Sequence, residues 1–313
     1  MAPRPAMSHS SAFLLPSPSA AAAGADADGA AYALLVLNQR LPRFAPRLWD
    51  RAQVRVCADG GANRVFDGMP ELFPGQDPDE SRREYIRTWW SPALMSGFVW
   101  LDKPVYEFYG RTGEIDRYPA LYGSDDHIHA YKPDVIKGDL DSVRPEVKEY
   151  YSNMGTQIVD ESHDQDTTDL HKCVAFITEN SAIPNKSNLC IFALGALGGR
   201  FDHEMGNINV LHLFPNNRII LLSDDCLIFL LPRTHTHNIH IERSIEGPHC
   251  GLIPIGAPSA TTTTTGLQWN LDNTSMSFGG LISTSNIVRE ESTVVTITSD
   301  SDLIWTISLR HHS

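Results

Sequence analysis

Apolar runs of strand length recur along this chain, and between them lie glycine turns and helix-period segments. Leu189-Cys-Ile-Phe-Ala-Leu194 is apolar at every position. A strand apolar on both faces has to be covered on both, which is the condition of a buried, mostly parallel sheet. Ala33-Leu-Leu-Val-Leu37, Val54-Arg-Val-Cys-Ala58, Arg218-Ile-Ile-Leu-Leu222 and Leu227-Ile-Phe-Leu-Leu231 repeat the signal, with a shorter one at Gln157-Ile-Val159. Between the runs, Leu170, Cys173, Val174 and Ile177 share one helical face, and Met205, Ile208, Val210 and Leu211 are apolar positions of another helix. Strand, turn and helix in alternation predict an α/β domain with a Rossmann-like sheet over residues 31–233.

The pattern changes after about Pro232. Thr, Ser, Gly and Pro rise, and apolar residues alternate in short runs: His237–Ile241, Gly279–Ser283, Thr293–Ile297 and Leu303–Ile307. The five consecutive threonines from Thr261 suit either a strand or a low-complexity loop. Alternation of this kind predicts an antiparallel β-sandwich or roll over residues 234–313. Residues from about 68 to 130 lack clear periodicity and read as an insertion. The first 30 residues, rich in Ala, Ser and Pro, read as a disordered tail.

Bulk properties narrow the partners. A net charge of −13 argues against a broad nucleic-acid or anionic-membrane surface. Five cysteines without a C-x-x-C spacing read as buried hydrophobes of a reducing compartment, which makes the expected location cytoplasmic. No stretch is long and apolar enough to be read as a membrane span.

Six aspartates fall near glycines or helix starts: Asp59, Asp139, Asp141, Asp164, Asp169 and Asp202. Asp139 and Asp141 follow the apolar pair Val135 and Ile136, the expected end of a buried strand. Side chains two residues apart on extended chain point the same way. At the carboxyl end of a parallel strand that direction is the ligand crevice. Hard oxygen ligands there suit magnesium, and magnesium suits a phosphate-bearing substrate. Gly60-Gly61 and Gly198-Gly199 both precede helices, where backbone N–H groups approach phosphate; an ordinary tight turn is the bland alternative. Arg200 has the fork geometry for phosphate, and Lys172 lies one helical turn after Asp169. Asp166 is the expected N-cap of that helix. Neither G-x-G-x-x-G nor G-x-x-x-x-G-K-[ST] is present. His203-Glu204 lacks the second histidine of a zinc-protease helix, and His235, His237 and His240 fit no zinc template. Trp269 beside Asn270 suits either core packing or stacking on a flat ligand.

Six segments in order resemble the thiamin pyrophosphokinases: Cys57-Ala-Asp-Gly-Gly-Ala-Asn63, Lys137-Gly-Asp-Leu-Asp-Ser142, Asp164-Gln-Asp-Thr-Thr-Asp169, Gly199-Arg-Phe-Asp202, Thr265-Gly-Leu-Gln-Trp-Asn270 and Ser283-Thr-Ser-Asn286. The resemblance implies transfer of the terminal diphosphate of ATP to thiamine, giving thiamine diphosphate and AMP. It implies a homodimer with the site at the subunit junction. Asp139, Asp141 and Asp169 would hold magnesium and surround the phosphates, with Arg200 as a further catalytic group. Asp59, Gly60, Thr168, Lys172, Arg200 and Asp202 would serve the nucleotide. Gln165, Trp269, Ser283 and Asn286 would meet thiamine, the last three from the partner chain. Two other readings remain: a pyrophosphokinase acting on a different heterocyclic alcohol such as a pterin, and a non-catalytic thiamine- or nucleotide-binding regulator.

Overall fold

The computed structural model describes residues 4–15, 31–72, 131–180 and 188–310. From residue 73 onward the expected insertion lies outside the described residues. The N-terminal half runs β1 (Ala6–Ser10), β2 (Ala31–Val36), α1 (Ala45–Arg51), β3 (Val54–Ala58), α2 (Gly61–Gly68), β4 (Val135–Gly138), α3 (Pro145–Asn153), β5 (Gln157–Asp160) and α4 (Asp169–Glu179). It continues through β6 (Leu189–Leu194), α5 (Phe201–Leu213), β7 (Arg218–Leu222) and β8 (Cys226–Leu231). The C-terminal part adds β9 (Thr236–His240), β10 (Glu246–Ile253), β11 (Ser259–Thr265), β12 (Thr274–Met276), β13 (Ser283–Ile287), β14 (Val294–Ser299) and β15 (Leu303–Leu309).

Ten strands form one sheet in the order β13-β10-β15-β8-β7-β6-β2-β3-β4-β5. From β7 to β5 every neighbouring pair is parallel. The apolar runs explain the placement: all six residues of β6 and all four of β4 are buried. Leu170, Cys173, Val174 and Ile177 of α4 face the core as their spacing predicts. They join Leu35, Val56, Ile191 and Leu221 of the sheet in one cluster. Cutting such a residue back to alanine typically costs about 2–5 kcal/mol.

β8 reverses direction against β7 and then pairs antiparallel with β15, from Leu231–Leu303 to Cys226–Ser308. The large sheet therefore passes without a break across the boundary expected near residue 233. The second sheet has the order β1-β9-β14-β11-β12. In β14, Val295, Ile297 and Ser299 are buried in alternation, the signature of a strand with one face inward. The threonine run forms β11, with Thr262 and Thr264 buried.

Three expectations need correction. Part of the presumed disordered tail is ordered: β1 pairs in parallel with β9, and Phe13 and Leu14 are buried just after it. Arg47 and Arg51 of α1 donate to backbone carbonyls of this segment, so its few apolar residues gain both a core and hydrogen-bond partners. The strand expected over 279–283 instead begins at Ser283. Gly279 has φ +80°, and Gly280 N–H donates to Ser277 O, so a turn occupies that stretch. Helix α4 starts at Asp169, not after Asp166. Thr168 is the cap, its hydroxyl accepting from His171 N–H, while Asp164 captures the N–H groups of Asp166 and Thr167 in a local turn.

Candidate active site

The carboxyl ends of the parallel strands β2 to β7 open on one edge, and three acidic side chains meet there. Ligand atoms of Asp59, Asp139 and Asp169 lie within 4.8 Å of one another. Asp59 directly follows β3 in the left-handed region, at φ +43°. Its carboxylate is almost fully buried and accepts the backbone N–H groups of Ser142 at 3.1 Å and Val143 at 3.0 Å. A non-glycine residue in that conformation is costly, and the two hydrogen bonds help hold it.

Gly138 closes β4 between these acids. A Cβ there would stand 2.9 Å from Asp59 Cβ and 3.3 Å from Asp169 Oδ1. Glycine is what lets the carboxylates converge. Asp169 is the first residue of α4, where the helix N-terminus favours negative charge. Even so, burial first, then the charges of Asp139 and Asp59, push its carboxyl up to about 6. Burial also raises Asp59, against the lowering effect of its hydrogen bonds from Ser142 and Val143. Three convergent carboxylates repel one another unless a cation lies between them, and an all-oxygen donor set suits magnesium.

Asp141 stands apart from this trio. Leu140 has φ +61°, so the chain is not extended through 139–141 and the two acids do not project together. Asp141 is exposed, and its Oδ1 accepts the Ser142 hydroxyl at 2.9 Å. The charge of Asp141 still bears on Asp169, as the weakest of the acidic neighbours.

The remaining expected residues divide into groups. Thr168 caps α4, and Gln165 is exposed nearby, donating to Ser162 O at 2.9 Å. Lys172 is buried, with Nζ 3.5 Å from Glu161 O. The Glu161 carboxylate also pairs with Lys137, so one residue holds both lysines, one by its backbone carbonyl and one by its side chain. Arg200 and Asp202 form an exposed two-point pair, Nε–Oδ1 3.1 Å and Nη2–Oδ2 2.5 Å. They follow Gly198 and Gly199, both at positive φ. Gly60 opens the turn into α2, against Asn38 and Ser142.

Trp269, Ser283 and Asn286 form a separate group in the C-terminal part. Asn286 is buried; its Nδ2 donates to Trp269 O at 2.9 Å and Ser283 Oγ at 3.2 Å. Trp269 is 56% exposed, so it is not a core residue.

Sequence reasoning gave no role to Asn63 or Glu161. Asn63 donates to Ser142 O at 2.8 Å and accepts Arg144 N–H at 3.0 Å, holding the 142–144 loop from the other side. Its place in the Asp59-Gly60-Gly61 segment was the only signal available.

A parallel sheet that gathers an acidic trio at its carboxyl edge defines an α/β class whose ligands sit at that edge. Residues 45–221 match the family model of the thiamin pyrophosphokinase catalytic domain, and residues 236–304 match that of the thiamin pyrophosphokinase vitamin B1 binding domain. The chain is 85% identical to "Thiamine pyrophosphokinase 3" of Oryza sativa subsp. japonica, over all of both chains. It is 51% identical to "Thiamine pyrophosphokinase 1" of Arabidopsis thaliana, over 99% of this chain and 96% of that one. In fold it resembles the solved thiamin pyrophosphokinase of Candida albicans, with a TM-score of 0.65 at 22% identity over 99% of this chain and 95% of that one. The chain belongs to the thiamin pyrophosphokinase family.

Proposed function

We propose that this chain transfers the terminal diphosphate of ATP to the hydroxyethyl oxygen of thiamine, releasing AMP and thiamine diphosphate. The observation that carries this reading is the convergence of Asp59, Asp139 and Asp169 at the sheet edge of a chain with both family regions. The alcohol oxygen of thiamine attacks the β-phosphorus. The bond from that phosphorus to the α–β bridging oxygen breaks, AMP leaves with the bridging oxygen, and the alcohol proton passes to a base. Such transfers depend mainly on positioning and charge stabilisation.

Asp59, Asp139 and Asp169 would hold magnesium, which when bound neutralises phosphate charge. The protein's own groups do the rest. Asp59 fixes the 142–143 backbone, and Thr168 sets the start of α4. The Arg200 fork, exposed beside the open turn at Gly198, engages phosphate oxygens. Asp141, outside the trio and exposed, takes the alcohol proton. Gln165 orients thiamine at the mouth of the site.

The active unit is a homodimer. β13, which carries Ser283 and Asn286, is eight strands from β4 in the sheet order. At about 4.8 Å per strand, the path along the sheet is about 38 Å. That span favours Trp269, Ser283 and Asn286 serving the acids of another copy. Phe278, Leu281 and Trp269 are all exposed large apolar side chains of this C-terminal part, which agrees with a covered surface there.

Purified protein with ATP, magnesium and thiamine should yield AMP and thiamine diphosphate in equal amounts. No AMP under those conditions would sink the reading, and preferential consumption of a pterin alcohol would sink the choice of acceptor.

A further inference from the structure

We infer that Lys137 is a positioning residue for the proposed transfer: by occupying the Glu161 carboxylate it leaves the charge of Lys172 to the phosphates of ATP. The inference rests on the diphosphate-transfer reading above, with Lys172 serving the nucleotide. Lys137 is the one charged residue of β4, whose four residues are all buried, and it is itself 5% exposed. It lies two residues after Val135, on the same face of the strand, and Val135 packs in the core cluster with α4. The Lys137 ammonium stands 5.4 Å from the centre of the Phe176 ring of α4 and pairs with Glu161, just beyond β5. A buried ion pair is often no more stabilising than packed apolar side chains of similar volume. Stability alone therefore does not account for a lysine here.

The pair decides which lysine the Glu161 carboxylate takes. Glu161 N–H donates to Gly138 O at 2.7 Å, which sets the residue against the end of β4. Its carbonyl accepts Asp164 N–H at 3.0 Å and lies 3.5 Å from Lys172 Nζ. Its carboxylate is turned to other partners: Oε1 to Lys137, and Oε2 3.5 Å from His163 Nε2. The Lys137 hydrogen bond is the main cause that holds the Glu161 carboxyl below its ordinary value, and the charge of Lys172 contributes least among the cations. Asp164, a second acid within reach of the Lys172 charge, is engaged by Thr167 and by the N–H of Asp166.

Lys172 is buried one helical turn after Asp169, and among the described residues it forms no ion pair. A buried ammonium without a carboxylate partner gains strongly from any anion that reaches it. With Lys137 in place, that anion is the substrate phosphate. Without Lys137, the nearest candidate is the released Glu161 carboxylate, on the same residue whose carbonyl already meets Lys172 Nζ.

The test breaks the pair from each side and reads ATP affinity by calorimetry, with magnesium and without thiamine. Lys137→Met frees the carboxylate and should weaken ATP binding about tenfold or more, with thiamine binding within about twofold. Glu161→Gln breaks the same pair but leaves no carboxylate to capture Lys172, so ATP affinity should stay within about threefold. The double variant should also return to within about threefold. A pair that only supports the fold predicts equal losses in the two single variants. Equal losses, a double variant as weak as Lys137→Met, or unchanged ATP affinity in Lys137→Met each overturn the inference. If Lys137→Met does not fold, Glu161→Gln and the double variant decide: a loss of about tenfold in either overturns the inference, and near-native affinity in both supports it. Affinity is read here without turnover. Failure of the wild-type protein to make AMP from ATP and thiamine speaks against the transfer reading instead, so the two failures are distinct.

Discussion

Asp59 accepts the backbone N–H of Val143 at 3.0 Å, tying the end of β3 to the loop that follows β4. One carboxylate thus belongs to the acidic trio and also clamps the loop that carries Asp139 and Asp141. Asp59→Ala leaves two backbone donors without their acceptor. A destabilisation of about 2–4 kcal/mol is expected in urea denaturation, together with near-complete loss of turnover. Full stability in Asp59→Ala would show that the clamp is dispensable.

Gly138→Ala tests convergence rather than charge. The added methyl meets Asp59 Cβ at 2.9 Å and Asp169 Oδ1 at 3.3 Å, so the two acids must separate. Turnover should fall at least about a hundredfold, and the magnesium needed for half-maximal rate should rise. Unaltered magnesium dependence, read from initial AMP release, would show that the trio tolerates the spread.

Arg200 and Asp202 are exposed and paired with each other. Arg200→Ala should therefore leave the melting temperature nearly unchanged while raising the KM for ATP about tenfold or more. Arg200→Lys should restore little, because a point charge does not reproduce a planar fork. Recovery by lysine would reduce the role of Arg200 to charge alone.

Trp269→Ala should raise the KM for thiamine about tenfold with little change in that for ATP. Mixing this variant with Asp139→Asn should regenerate activity, since a hybrid dimer holds one site with both residues intact. A mixture as inactive as its parents, after subunit exchange is verified by mass spectrometry, would place the two residues in one chain's site.

His9 of β1 and His237 of β9 meet at 3.0 Å, with His9 stacked on Phe229. Burial, assisted by the facing histidine charges, lowers His9 to about 2; burial also lowers His237 to about 4. Both are neutral in the folded protein. Their contribution is fully present above the unfolded value near 6.5 and is lost as pH falls toward 4, because the unfolded chain then binds protons that the fold refuses. The combined loss is on the order of a few kcal/mol. Melting temperature should drop over that window, and less steeply in His9→Phe. Identical pH profiles for the two proteins would remove the pair as the cause.

How far the sequence led can be traced element by element. β6 and β7 were readable to the residue, since long apolar runs leave little choice of environment. The acids were readable as a set but not in their grouping. Asp139 and Asp141 looked like partners because an extended chain was assumed, and Leu140 in the left-handed region breaks that assumption. Asp59 joins the trio through a tertiary approach allowed by Gly138, which no local pattern reports. The cap of α4 moved from Asp166 to Thr168 because Asp164 had already taken the preceding N–H groups. β1 was missed for a related reason: its stability comes from pairing with β9, far along the chain.

The unbroken ladder from β5 to β13 also limits how this molecule can work. The region matching the catalytic model ends in β7, and β8 and β15 join it by backbone pairing to β10 of the vitamin-binding region, so the two form a common girder rather than two jaws on a hinge. Opening one against the other would mean tearing a row of interstrand hydrogen bonds at every turnover. Substrate entry and product exit are left to the turns along the sheet edge, and mutations that stiffen those turns should act on turnover before they act on folding.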